Sequence, residues 1–128
     1  MLKPSSIFGH PNIFVMFCYD KTTNVTYSYI NVYANPNRNC PHILTDTIPT
    51  LLAQIHRLPN LQVVQGDFNL HCTYWDENST SNPSIVWDLI RSLHKKQLSL
   101  VNDESVPTFY CRGQRPQVLD LIWVNDCV

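Results

Sequence analysis

The run Leu61-Gln62-Val63-Val64-Gln65, closed by Gly66-Asp67-Phe68-Asn69-Leu70, limits the possible folds more tightly than any other stretch of the chain. A short apolar run with β-branched residues reads as a buried strand, and a glycine at its carboxyl end predicts a sharp backbone turn there. A carboxylate and an amide, two residues apart, then project from that end, where open α/β sheets usually carry their chemistry. Gly, Asp and Asn are also the commonest turn residues, so the same stretch is compatible with a plain loop. The surrounding segments decide between the two.

Residues 13–19 and 25–33 are rich in β-branched and aromatic side chains and flank the polar Asp20-Lys21-Thr22-Thr23-Asn24, a hairpin signal. In the second strand, alternation places Val25, Tyr27, Tyr29, Asn31 and Tyr33 on one face and Thr26, Ser28, Ile30, Val32 and Ala34 on the other. Asn35-Pro36-Asn37 then stops the strand. Thr47-Ile48-Pro49 opens a helix with proline in its first turn, and Leu51, Leu52, Ile55 and Leu58 recur at helical spacing until Pro59. A second helix is expected over 83–96, with Val86, Leu89, Ile90 and Leu93 inward, Asn82 as its cap, and Lys95 and Lys96 at the negative end of the dipole. Strands over 98–101, 108–110 and 118–124 complete the set, the last two as a hairpin around 111–117. Strands and helices in this order predict a single α/β domain, residues 1–128, around a mixed sheet.

Composition excludes several classes. With 44% hydrophobic and 15% charged residues the chain is globular in type, and a net charge of −1 gives no bulk basic field for nucleic acid. No apolar stretch approaches the roughly 20 residues of a membrane span, and no signal peptide follows Lys3. The five cysteines are odd in number, without a C-x-x-C pair, which favours free thiols in a reducing compartment. The sequons at Asn24 and Asn78 are therefore read as chance.

Asp120 lies in Val118-Leu119-Asp120-Leu121-Ile122-Trp123-Val124, apolar on both faces, so it is expected inside on a buried strand. There an ionised carboxylate needs backbone amides, an arginine such as Arg115, or a functional partner. Tyr33 ends its strand as an amphipathic ring whose hydroxyl either meets water or donates to a phosphate oxygen. His71 follows the Asp67 turn, and Arg112 and Arg115 occupy the 111–117 loop, either as solvated groups or as contacts to a nucleic-acid backbone.

Asn31-Val32-Tyr33-Ala34-Asn35-Pro36, Gly66-Asp67-Phe68-Asn69, Pro107-Thr108-Phe109 and Leu119-Asp120-Leu121-Ile122 stand in the order and rough spacing of one superfamily. Together they resemble the endonuclease/exonuclease/phosphatase superfamily. The longer stretch through Leu70-His71 to Trp75 is similar to its apurinic-endonuclease-like branch in non-LTR (LINE-type) retrotransposons. The resemblance implies a partial four-layered, DNase I-like α/β sandwich with mixed, largely antiparallel sheets. It implies magnesium-dependent hydrolysis of DNA phosphodiesters, with Asp67 acting on the attacking water or the leaving oxygen. Asn69, Tyr33 and Asn35 would contact phosphate, Asp120 would orient a catalytic histidine, and Thr108 and Phe109 would lie at the rim near a flanking nucleotide. His71, Arg112 and Arg115 would add substrate contacts.

The family's magnesium-binding glutamate has no counterpart in 1–12, and its closing Ser-Asp-His motif has none after Asp120. Asp67 is then a solitary metal ligand, and the chain by itself is expected to be inactive. A reverse transcriptase in the same polyprotein and a nuclear location follow from the same resemblance, with no membrane partner. Two other functions fit the sequence: a non-catalytic remnant or interaction module, and a phosphatase acting on a small or lipid phosphoester.

Overall fold

The computed structural model describes residues 2–5, as backbone only, together with 10–34 and 47–126. Among these residues six strands form one sheet: β1 (Leu2–Ser5), β2 (Ile13–Asp20), β3 (Val25–Tyr33), β4 (Leu61–Asp67), β5 (Leu98–Leu100) and β6 (Asp120–Asn125), in the order β1-β2-β3-β4-β6-β5. Only β3 and β4 run parallel; every other neighbouring pair is antiparallel. The parallel pair is joined through helix α1 (Thr47–Gln54), which tightens into a 3-10 turn at Ile55–Arg57. Helix α2 (Ser84–Lys95) follows β4.

The β2–β3 hairpin forms where alternation predicts it. Its turn is held by Asp20, whose Oδ1 accepts from the Thr22 amide (2.9 Å) and hydroxyl (2.7 Å), and Asn24 takes the left-handed conformation that closes it (φ 58°). Of the two faces that alternation separates, the one with Ser28, Ile30, Val32 and Ala34 meets the core. Ile48, Leu51, Ile55 and Leu58 from the first helical segment, and Val86, Leu89, Ile90 and Leu93 from α2, pack against the same face of the sheet. Strict alternation along β4 would group Leu61 with Val63. A bulge opposite Ser28/Tyr29 shifts the strand by one residue, so that Leu61 and Val64 are the pair that enters the core.

The opposite face carries no helix among the described residues. Phe14 (43% exposed), Tyr33 (51%) and Ile122 (42%) stand on it beside Asn31 and Gln65.

Four expectations change. The strand predicted over 108–110 reduces to an isolated Phe109–Gln117 bridge, because 111–117 wanders too far for a regular hairpin. Strand β1 was not foreseen, since Pro4 and the polar Ser5 hide it. Asn82 does not cap α2; its Oδ1 instead accepts from the amide and hydroxyl of Thr73 (both 3.0 Å), closing the 73–82 loop on itself. Lys96 does more than complement the helix dipole. Its Nζ donates to the carbonyls of His56 (3.0 Å) and Leu58 (3.2 Å), tying α2 to the segment before β4, and Gln97 ends the helix at φ 63°.

Candidate active site at the carboxyl end of β4

Gly66 is not the turn that the sequence suggests; it lies inside β4, which runs on to Asp67. Its φ of +136° and the proximity of β3 explain the residue: a Cβ built there would lie 1.9 Å from the carbonyl oxygen of Val32. Only glycine lets the two parallel strands approach this closely. The chain bends three residues later. Asn69 adopts φ 47°, and its amide donates to Asp67 Oδ1 (2.9 Å), so that the carboxylate itself locks the bend.

Register then does the assembling. Tyr33 on β3 is opposite Asp67 on β4, and Asp67 is opposite Asp120 on β6. Directly opposed residues share a face, with Cα atoms about 4.5–5.5 Å apart in an antiparallel pair. A tyrosine and two carboxylates therefore stand in one row across three strands, on the face without helices, with Asn69 just beyond. Partial burial pushes the Asp67 carboxyl above the ordinary carboxylate range, the Asn69 amide opposes that shift, and the charge of Asp120 adds to the rise. Neither aspartate forms an ion pair among the described residues, where the Arg91–Asp88 pair on α2 is surface-exposed.

Asp120 itself is exposed, which corrects the expectation of a buried carboxylate. Leu119, Leu121 and Trp123 point into the core, whereas Asp120 and Ile122 share the open face. An apolar residue on each side of the strand looked like two buried faces, but only one is covered here. No arginine pairs with it among the described residues. What fixes Asp120 is its backbone. Thr108 Oγ1 accepts from the amides of Leu119 and Asp120 (both 3.0 Å). Asn102 donates to the Asp120 carbonyl (2.9 Å) and accepts from the Ile122 amide (2.8 Å), continuing by side chain the ladder that β5 leaves off. Sequence reasoning missed Asn102, because an Asn-Asp pair after a strand reads as a loop. Thr108, an exposed residue, thereby clamps the start of β6.

The remaining candidates divide. His71 and Arg115, distant in sequence, line one cavity of about 160 Å³. Phe109 is 40% exposed and Arg112 is exposed, neither in the row of the two aspartates. Asn35 lies outside the described residues. Trp75 and Cys72 are wholly buried core, with Trp75 Nε1 donating to the Leu70 carbonyl (3.1 Å), so the Leu70–Trp75 spacing shapes the loop after Asn69. A second cavity of about 370 Å³ includes Leu61 and Asn125, at the opposite end of β4 and β6, away from the carboxylates. Among the described residues no three His, Cys, Asp or Glu side chains converge as a ready metal cage. Two adjacent carboxylates still suit magnesium, which keeps several waters and completes its shell with substrate phosphate oxygens.

Residues 27–128 match the family described as endonuclease-reverse transcriptase. The chain belongs to that family. Among solved structures it resembles the endonuclease domain of TRAS1, a telomere-specific non-LTR retrotransposon, with a TM-score of 0.66 and 20% identity over 98% of this chain and 54% of that one. It also resembles the AP endonuclease LMAP from Leishmania major, with a TM-score of 0.63 and 13% identity over 90% of this chain and 46% of that one. No curated protein matches the sequence. The chain thus has the DNase I-like α/β fold and spans about half the length of the solved domains it matches.

Proposed function

We propose that this endonuclease-reverse transcriptase family member forms part of a magnesium-dependent DNA endonuclease of the retrotransposon type, working in the nucleus beside a reverse transcriptase. The row Tyr33–Asp67–Asp120, placed by register at the ends of three neighbouring strands, carries the reading. A phosphodiester laid over this row meets the Tyr33 hydroxyl and the Asn69 side-chain amide as hydrogen-bond donors to its non-bridging oxygens. As the water oxygen bonds to phosphorus and the P–O bond to the leaving sugar oxygen breaks, the proton lost by water passes to an Asp67 carboxylate oxygen. The raised proton affinity of Asp67 suits that transfer. Asp120, rigidly held by Thr108 and Asn102, offers its carboxylate to the N–H of a histidine supplied by the rest of the domain. Asp67 would help to hold magnesium, which when bound would neutralise charge on the phosphate oxygens.

Plasmid nicking by a polypeptide extended beyond both ends of this chain tests the proposal. Asp67→Ala and Asn69→Ala should each lower the rate by about 100-fold or more. Nicking at the wild-type rate by both variants would rule the proposal out.

A further inference from the structure

Beside the carboxylate row lies a second polar feature that the hydrolytic step leaves unused. The cavity of about 160 Å³ is lined by His71 and Arg115, by the hydroxyl-bearing Ser79, Thr80 and Ser81, and by Asp76 and Gln117. Asp76 and Arg115 share the cavity but form no ion pair. The reason is visible in Asp76, which is 5% exposed and already committed: its Oδ1 accepts from the Asn78 amide (3.0 Å) and its Oδ2 from the Val118 amide (3.2 Å). The aspartate is a structural tie between the 73–82 loop and the approach to β6. Arg115, an exposed residue, lines the polar hollow.

That hollow is built in advance of any ligand. The Asp76 tie fixes one wall, Asn82 closes the loop on Thr73, and the Ser79 amide donates to the Asp76 carbonyl (3.0 Å). Its lining offers a forked cation, an imidazole, hydroxyls and an amide: donors suited to a tetrahedral oxyanion. A divalent cation is disfavoured, since the one carboxylate in the lining already accepts two amides.

Position selects among oxyanions. His71 lies four residues beyond Asp67 and Gln117 three before Asp120, so their Cα atoms are at most about 14 and 11 Å from the row. Successive phosphates of a DNA strand advance about 3.4 Å along the axis. We infer that the His71–Arg115 cavity is a backbone-phosphate subsite, holding a DNA phosphodiester within about four nucleotides of the one cleaved and setting the register of the strand. The inference rests on the DNA-cleaving reading proposed above.

The test uses the extended polypeptide and a short DNA duplex, with affinity measured across a range of salt. Arg115→Ala, a surface change that leaves the fold intact, should weaken binding and reduce the magnitude of the slope of log K against log salt by about one. In the wild type, the His71 ring resonances should shift on adding the duplex. An unchanged slope with plasmid nicking intact overturns the subsite and spares the nuclease reading. Absence of both duplex binding and nicking overturns the two together. Saturation of the His71 resonances by inorganic phosphate, with the duplex slope untouched, would make the cavity a small-anion pocket and overturn the inference.

Discussion

Replacing Gly66 with alanine is the sharpest probe of the strand packing that builds the site. The new methyl group would sit 1.9 Å from the Val32 carbonyl oxygen, 2.8 Å from its carbon and 2.9 Å from its nitrogen, all backbone atoms that cannot swing aside. Relief requires β3 and β4 to part by roughly 1.5 Å before ordinary contact distances return. The separation threatens the hydrogen bond from the Ala34 amide to the Asp67 carbonyl (2.7 Å), worth about 1 kcal/mol. The left-handed backbone adds about 1–3 kcal/mol of strain for a residue with a Cβ, and overpacking a similar amount. A loss of about 3–7 kcal/mol follows, a large part of the 5–15 kcal/mol or so that holds a typical domain together. Urea denaturation reads it as a fall in midpoint. Gly113→Ala is the control, because that glycine also has positive φ (+79°) but meets nothing within 4 Å, so its cost should be about 1 kcal/mol. Equal losses at the two positions would refute the argument that close approach of β3, rather than backbone angle alone, requires glycine at 66.

Three further outcomes are expected. Asp67 has its carboxyl raised in the folded state by burial, so the native protein holds a proton there more tightly than the unfolded chain does; stability from this group is complete below the unfolded pKa and is lost as pH rises through the higher folded one. Asp67→Asn should therefore raise the melting temperature at neutral pH and gain little at acid pH, and an equal change at both would contradict the assignment. Asn102→Ala should cost about 1–3 kcal/mol in chemical denaturation, by stripping partners from the Ile122 amide and the Asp120 carbonyl, and should speed hydrogen exchange at Ile122. Unchanged exchange would show that the ladder survives without it. Asp76→Ala leaves the buried Val118 amide unpaired, and a similar loss measured by urea denaturation, with freer exchange at Val118, should follow.

Local pattern made much of this architecture legible. The alternation in 25–33 assigns both faces of β3, and the spacing of Val86, Leu89, Ile90 and Leu93 assigns the inward side of α2. The row at the sheet's end was legible as a set of residue types, though its assembly depends on register. A bulge at the start of β4 has no signature in Leu61-Gln62-Val63, yet it decides which side of the sheet Asp67 occupies. Asp120 was misjudged because apolar residues flank it on both faces, and sequence does not say which face a helix covers. Asn102 and Asp76 act through backbone amides 20 and 42 residues away, links that no local window contains.

The side of the sheet that carries no helix among the described residues exposes apolar groups. Phe14, Tyr33 and Ile122 form a wetted, partly greasy wall, the kind of surface that invites two molecules to stick. Asp67 and Asp120 sit at its border, and a second wall laid flat over them would have to dehydrate both charges, a penalty of several kcal/mol per ion. The two acids at the border of this wall thus act as gatekeepers against clumping.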